Sequence, residues 1–299
     1  MRKRHIKLIC LICAVLIIGI GLLANTCKKE DALPQGSSFS VVFLDVGQAD
    51  AALVQCDGHY MLIDGGNKGD SDLVYSVLKK HGVKKLDIVV GTHAHEDHIG
   101  GLPGAFSYTT ADLTLCPVTE YESDAFEDFA RYAEEKGGGI TVPEVGDSYN
   151  LGSAKVHVLA VNSLPDTNNT SIVLRVDYGK TSFLFMGDAE KDAEEVMLYN
   201  DMDVSANVIK LGHHGSDTST GAWLLRQADP QYAVVSVGKD NPYGHPDESL
   251  ISGLEDREPF HIQVYRTDRD GDIYCISNGT NVQFVTKEEY IQQIPNYQD

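Results

Sequence analysis

The sequence predicts an α/β fold in which two sheets pack face to face with helices on the outside. The composition is that of an ordinary globular protein, with 42% hydrophobic and 23% charged residues. Short apolar and β-branched runs alternate with helical patterns along the chain. These runs fall into two sets, each interleaved with helices, which favours two layers of sheet with helices outside. No repeat or internal linker divides the pattern, so we predict one domain over 39–285.

The predicted elements follow in chain order. Apolar and β-branched runs predict strands at 40–45, 51–55, 60–63, 86–90, 155–161, 171–177, 181–186, 207–211, 232–237, 261–265, 272–276 and 282–284. Apolar residues at helical spacing predict helices at 72–80, 122–136, 189–199, 220–227 and 247–254. Glycines follow the first two helices, as is common at helix ends. Residues 286–299 are predicted to form a C-terminal tail.

The first 27 residues are predicted to direct export or to anchor the chain. Basic residues precede an uncharged apolar run over 8–24, and a polar stretch follows it. This pattern indicates a signal peptide, a lipoprotein signal or a single membrane anchor, with a buried core helix as the alternative. Cys27 is a candidate for lipidation, although Thr26 is large for the preceding position. Residues 28–38 would be a linker, and the N-terminal segment the only membrane contact.

Basic residues before the apolar run place the rest of the chain outside the cytoplasmic membrane, where it would be anchored, lipidated or secreted. The net charge of −20 argues against a basic groove for a nucleic-acid backbone. A polyanionic substrate would therefore need bound metal ions as its source of positive charge. Cys56, Cys116 and Cys275 are widely spaced, so they predict neither a disulfide framework nor a zinc–thiolate site.

A group of metal-ligand side chains follows the predicted strand at 86–90. His93, His95, Asp97 and His98 lie within one short stretch, and imidazole and carboxylate are ligands that zinc prefers. On an extended segment His93 and His95 point the same way, and Asp97 and His98 can serve a second ion. A chance cluster of surface histidines is the alternative, which this spacing at a strand exit disfavours.

Two further predicted strands end in residues of the same kind. Asp188 follows the strand at 181–186, and His213, His214 and Ser216 follow the strand at 207–211. A lone Gly-Asp is usually a turn, and a His-His pair is as often structural as functional. Together with the first cluster they indicate one shared site.

The motif set resembles the metallo-β-lactamase superfamily, and within it the hydrolase domain of ComEC-type DNA-uptake proteins and their stand-alone relatives. Further matching stretches are 43–50, 62–66, 168–171 and 236–246. The resemblance implies a four-layer αββα metallo-β-lactamase-like sandwich with a two-metal site at one edge. It assigns His93 and His95 to one ion, Asp97, His98 and His213 to the other, and Asp188 as the bridge.

The resemblance is incomplete at the first ion. Many members supply a third histidine where this chain has Asn168 and Asn169, either of which could contribute an oxygen. An oxygen-richer site would admit manganese, although zinc is the first expectation.

Two cations can lower the pKa of a shared water toward ~7. Hydroxide held between them is therefore the expected nucleophile, with Asp97 orienting it or taking its proton. His214, Ser216 and His245 would donate hydrogen bonds to substrate oxygens or to the leaving group, and a turn-capping role is the alternative for His245.

The predicted function is an exported metallohydrolase that cleaves phosphodiesters, either in nucleic acid such as DNA or in a small molecule. Two alternatives remain open. One is a non-catalytic module that binds DNA or a partner at the cell surface. The other is a β-lactamase or thioester hydrolase on the same fold, because fold alone does not determine the reaction.

Overall fold

The computed structural model describes residues 33–255, 260–294 and 297–298. The leader predicted at 1–27, including Cys27, and residues 28–32 of the predicted linker lie outside this part of the chain. Within it, no helix has both the length and the apolar character that a membrane crossing requires.

The strands of the described part, in chain order, are β1 (Phe39–Phe43), β2 (Ala52–Cys56), β3 (His59–Ile63), β4 (Leu86–Val90), β5 (Ala111–Leu115), β6 (Ile140–Thr141), β7 (Ser148–Leu151), β8 (Ala154–Ala160), β9 (Val173–Tyr178), β10 (Thr181–Phe185), β11 (Val208–Lys210), β12 (Tyr232–Val235), β13 (Gln263–Arg266), β14 (Ile273–Ser277) and β15 (Val282–Val285). The α-helices are α1 (Ser71–Lys80), α2 (Glu96–Ile99), α3 (Leu102–Tyr108), α4 (Asp124–Lys136), α5 (Lys191–Tyr199), α6 (Ala222–Ala228), α7 (Glu248–Glu255), α8 (Thr267–Asp270) and α9 (Lys287–Ile291).

The strands form two sheets. The eight-stranded sheet has the order β15-β14-β1-β2-β3-β4-β5-β6, and the seven-stranded sheet has the order β13-β12-β11-β10-β9-β8-β7. Parallel pairing joins β3 to β4 and β4 to β5 in the first sheet. In the second sheet it joins β10, β11, β12 and β13. The carboxyl ends of parallel neighbours lie at one sheet edge, so the loops after these strands are brought together.

The two sheets face each other through aromatic side chains. The Phe39 and Phe183 rings are 4.9 Å apart between centroids, and the Phe43 and Phe185 rings are 6.0 Å apart. The outer faces carry two apolar clusters. One packs α1, α3 and α4 on the eight-stranded sheet, and the other packs α5, α6 and α7 on the seven-stranded sheet. The predicted αββα sandwich is thus confirmed.

Some elements were absent from the sequence prediction for physical reasons. Helix α3 contains Pro103 and Gly104 near its start, and both residues have low helix propensity. Gly104 is needed because a Cβ there would lie 2.0 Å from the carbonyl oxygen of Ser71 in α1. Strand β5 contains Asp112, a residue type depleted in strands.

The segment predicted as a C-terminal tail contains helix α9. Thr286 and Glu289 form a capping box at its start. Tyr290 is buried against Tyr274 of β14, with ring centroids 4.9 Å apart. These contacts hold the segment on the outer face of the eight-stranded sheet.

Candidate metal centre

The loop after β4 brings three of the predicted ligands together. His93 and His98 are fully buried, and their ring centroids are 4.1 Å apart. His95, at the start of α2, places its Nδ1 3.0 Å from Nε2 of His93. Gly91 is required before them, because a Cβ at this position would lie 2.7 Å from the side chain of Ile99.

Asp188 reaches this loop from the end of β10. Its Oδ1 is 3.3 Å from Nε2 of His98, and its Oδ2 is 3.8 Å from Nε2 of His93. The backbone N–H of Asp188 donates to the Ser171 hydroxyl. The preceding Gly187 has a φ of +54°, a conformation that glycine adopts without strain. The buried carboxylate therefore lies between His93 and His98, as a bridging ligand would.

The adjacent histidines after β11 take different positions. Both have positive φ values, 47° for His213 and 53° for His214, which is uncommon for residues other than glycine. Nε2 of the buried His214 is 3.3 Å from Oδ2 of Asp97 and 3.8 Å from Oδ2 of Asp188. Nε2 of His213 is 3.9 Å from the same Asp188 oxygen, while its Nδ1 is 3.2 Å from Glu190.

Four overlapping groups of ligand atoms could hold a metal ion, with every pair of atoms in a group within 4.8 Å. Two of them consist of predicted ligands and share His98: one is His93, His98 and Asp188, and the other is Asp97, His98 and His214. In the described part of the chain, neither His213 nor His95 belongs to such a group. The geometry thus favours His214 over His213 for the second ion, whereas the resemblance assigned His213.

Unsatisfied buried atoms show that these residues fit a metal. Nε2 of His98 and Oδ1 of Asp188 are both buried and lie 3.3 Å apart, but neither makes a hydrogen bond of good geometry. Leaving a buried polar atom unpaired costs about 1–3 kcal/mol, and an ion bound between these residues would satisfy both.

The carboxylates of the site set the protonation of its histidines. Burial alone would lower the pKa of His214, but Asp188 and Asp50 raise it to about 10. Burial would likewise raise the pKa of Asp97, but His98 and the hydrogen bond from His214 hold it at about 2. Burial lowers the pKa of His93 well below its ordinary value. The metal-free site thus keeps protons on some imidazoles, and an incoming cation must displace them.

The two asparagines predicted to stand in for a third histidine differ in availability. Asn169 uses its whole amide, because Nδ2 donates to both carboxylate oxygens of Asp166 and Oδ1 accepts from the Glu190 N–H at 2.9 Å. Asn168 has a buried Oδ1 with no hydrogen-bond partner. Of the two, Asn168 is therefore the one whose amide oxygen is not already paired.

The remaining predicted residues lie around this centre. His245 packs edge-on against His213, with ring centroids 5.5 Å apart, and stacks at 6.4 Å from His214. Burial, with the neighbouring His213 and His214, lowers the pKa of His245. Ser216 is buried, and its hydroxyl accepts from the backbone N–H of Thr218.

Sequence reasoning missed the residues that orient the ligands. Asp64, at the end of β3, lies 2.8 Å from Nδ1 of His98, and its carboxylate accepts from the N–H and hydroxyl of Thr92. Carboxylates in this position fix the tautomer of a metal-binding histidine and so leave Nε2 free for the metal. The sequence did contain a signal for Asp64, because the stretch at 62–66 matches the family. The match alone did not indicate what Asp64 does.

Glu194 of α5 holds the far end of the loop that carries both histidines. Its buried carboxylate accepts from the N–H groups of Thr220 and Gly221, and burial raises its pKa from 4.5 to about 7. The folded protein thus keeps a proton that the unfolded chain has released, so this group lowers stability as the pH rises from 4.5 to about 7.

We expect Glu194→Gln to remove this pH dependence. Glutamine offers one acceptor oxygen where Glu194 offers two, so the variant should lose a hydrogen bond at every pH. Relative to the wild type, its unfolding free energy should nevertheless rise by up to about 3 kcal/mol between pH 4 and pH 8. Urea unfolding of the metal-free proteins at both pH values measures the difference. An equal difference at the two pH values would show that Glu194 is ionised in the fold.

Comparison with known proteins agrees with this geometry. Residues 44–239 match the family described as the metallo-beta-lactamase superfamily. ComE operon protein 3 of Bacillus subtilis (strain 168) is 30% identical over 258 residues, which cover 79% of this chain and 33% of that protein. Competence protein ComA of Neisseria gonorrhoeae is 29% identical over 252 residues, which cover 81% of this chain and 33% of that protein.

The chain thus matches about a third of the length of these relatives, and the predicted resemblance to ComEC-type competence proteins is confirmed. Among solved structures, the metallo-beta-lactamase fold protein YhfI of Bacillus subtilis aligns with a TM-score of 0.53 at 12% identity, covering 80% of this chain and 100% of that chain. A putative metal-dependent hydrolase of Parabacteroides distasonis aligns with a TM-score of 0.51 at 16% identity, covering 78% of this chain and 94% of that chain. Fold, motif order and site geometry agree, and the chain belongs to the metallo-beta-lactamase superfamily.

Proposed function

We propose that the protein is an exported, metal-dependent hydrolase that cleaves phosphodiester bonds, with nucleic acid as the first substrate class to test and small phosphodiesters as the second. The observation that carries this proposal is the close approach of Asp97, His98, Asp188 and His214, whose side chains form overlapping groups of ligand atoms within 4.8 Å of one another. The ComEC-type relatives favour a phosphodiester over a β-lactam or a thioester. Export is supported by the basic and apolar start of the sequence.

The negative net charge makes metal ions part of the substrate argument. With a net charge of −20, the protein as a whole repels a polyanion. Two divalent cations, zinc or manganese, would neutralise the non-bridging oxygens of a phosphodiester and lower the pKa of a bound water. A phosphodiester would therefore bind where the positive charge is concentrated, at the site itself.

The side chains at the mouth of the site have separate roles. Asp97 is partly exposed, with 32% of its side chain accessible, and its Oδ2 faces His214 at 3.3 Å. Because this carboxylate has a low pKa, it is ionised at neutral pH and can accept a hydrogen bond from the attacking water and so orient it. We expect His245, which packs against His213 and His214, to donate a hydrogen bond to substrate oxygens. Ser216 could do so only by giving up its contacts with Thr218.

The decisive experiment compares the metal-loaded and chelator-treated protein on DNA, RNA and bis-nitrophenyl phosphate. We expect Asp97→Ala to lower turnover by at least ~10², the scale of one catalytic group. Glu96→Ala is the matched control, because Glu96 is the exposed neighbour of Asp97 in the same turn of α2. If the metal-loaded wild type left all three substrates intact, the phosphodiesterase proposal would have to be abandoned.

The same samples test the alternatives. Metal-dependent DNA binding without turnover would indicate a binding module. Hydrolysis of nitrocefin or of a glutathione thioester, with phosphodiesters left intact, would indicate a β-lactamase or a thioester hydrolase.

A further inference from the structure

A buried ion pair lies directly beneath the candidate metal centre. Nζ of Lys210 is 2.7 Å from Oδ2 of Asp50, and the two side chains are only 5% and 7% exposed. Lys210 ends β11 in the seven-stranded sheet, while Asp50 lies in the loop between β1 and β2 of the eight-stranded sheet. Burying two charges is costly unless both are well paired. Stabilising the contact between the two sheets is therefore a weak explanation for this ion pair, and a role in the neighbouring site is the alternative.

The second oxygen of Asp50 faces a proposed metal ligand. Oδ1 is 3.3 Å from Nδ1 of His214 and makes no hydrogen bond of its own. Nδ1 of His214 is also 3.0 Å from the carbonyl oxygen of Ser236. A carbonyl and a carboxylate therefore both favour a proton on Nδ1, which leaves Nε2 of His214 available toward Asp97.

The backbone of Asp50 is tied to the same centre. Its N–H donates to the carbonyl oxygen of Asp97 at 3.0 Å, and its own carbonyl accepts from the Gly66 N–H at 2.8 Å. Asp50 thus makes two contacts with the centre: its backbone contacts the backbone of Asp97, and its carboxylate contacts the side chain of His214. Asp97 and His214 are far apart in sequence, and both are proposed ligands of the second metal ion.

Lys210 also limits the part that Asp50 can play as a metal ligand. Asp50, Asp188 and His214 offer ligand atoms that all lie within 4.8 Å of one another. The ammonium group occupies Oδ2 of Asp50 and, through a second hydrogen bond to the Leu211 carbonyl, is fixed in place. The negative charge of Asp50 is therefore balanced by Lys210, and its other oxygen, Oδ1, lies 3.3 Å from Nδ1 of His214.

We infer that the Lys210–Asp50 ion pair is a positioning device, which holds His214 in the orientation and tautomer needed to bind the second metal ion. The inference rests on the proposed metal centre and adds two residues to it. Partners of this kind change metal affinity by about 10–100-fold when they are removed.

The test uses neutral replacement of the whole pair, because removing one partner leaves a buried unpaired charge and risks unfolding. In Asp50→Leu/Lys210→Met both charges are replaced by apolar groups of similar size. We expect a folded protein whose weaker metal ion binds about 10–100-fold less tightly, so that cobalt titration gives one bound ion where the wild type gives two. In Asp50→Asn/Lys210→Met the amide oxygen can still accept from His214, and we expect much of the affinity to return.

The control is Arg266→Met/Asp268→Leu, which neutralises another largely buried pair, with an N···O distance of 2.8 Å, at the end of β13. This variant should keep both ions. If Asp50→Leu/Lys210→Met bound two ions as tightly as the wild type, or if the control lost one equally, the inference would be wrong. A wild type that binds fewer than two ions would instead overturn the proposed metal centre.

Discussion

Replacement of Asp188 by alanine is expected to lower the hydrolytic rate by about 10³-fold, since loss of a catalytic ion removes several kcal/mol of transition-state stabilisation. The two oxygens of Asp188 point to different histidines, with Oδ1 3.3 Å from Nε2 of His98 and Oδ2 3.8 Å from Nε2 of His93. A side chain placed in this way can bridge two ions, so its loss should weaken both. Elemental analysis and the phosphodiesterase assay, made on the same sample, measure the two effects.

Two further variants separate loss of the bridge from general damage. Asp188→Asn keeps the shape of the side chain but removes its charge, and its metal content should fall between those of the wild type and Asp188→Ala. Asp177→Ala removes a half-exposed carboxylate that pairs with Arg175 near the opposite end of the seven-stranded sheet, and should keep both ions. Full metal content and full activity in Asp188→Ala would contradict the bridging role.

The sequence predicts that the candidate ligands meet in space, because these ligands follow strands. His93, Asp188 and His214 come after β4, β10 and β11, and each strand is an apolar run that ends in glycine and ligand-type residues. Parallel pairing brings the ends of β10 and β11 to one edge of the seven-stranded sheet, and the packing of the two sheets brings the end of β4 next to them. Two apolar faces per sheet then imply the layers of helix on each side.

The contacts behind the ligands could not be predicted in this way. Lys210 looks like an interruption of an apolar strand, and Asp50 looks like a loop residue. Their pairing spans 160 positions of sequence and depends on how the two sheets pack. Asn169 appeared to be a possible ligand, but Asp166 and the Glu190 N–H occupy its amide in three dimensions. Short-range patterns in the sequence indicate which residues could bind a metal. Which partner each side chain contacts depends on packing between segments that are far apart in the sequence.

Substitution of the two adjacent histidines should give opposite results for metal binding. His214 is buried, its Nδ1 lies 3.0 Å from the Ser236 carbonyl, and its Nε2 is directed at Asp97. We therefore expect His214→Ala to weaken the second ion by at least about 100-fold, since loss of a ligand should cost no less than loss of its supporting partner. Competition with a chelator at fixed pH measures this affinity.

His213→Ala should retain both ions. The His213 side chain is 23% exposed, and its Nδ1 is 3.2 Å from Glu190, while its Nε2 stays 3.9 Å from Asp188. Because its ring is partly exposed and borders the metal ligands, we expect it to contact substrate, so that the variant has a higher KM with little change in metal content. The reverse result, with the ion lost from His213→Ala and kept by His214→Ala, would restore the assignment that the family resemblance implied. It would also remove the ligand on which the Lys210–Asp50 inference depends.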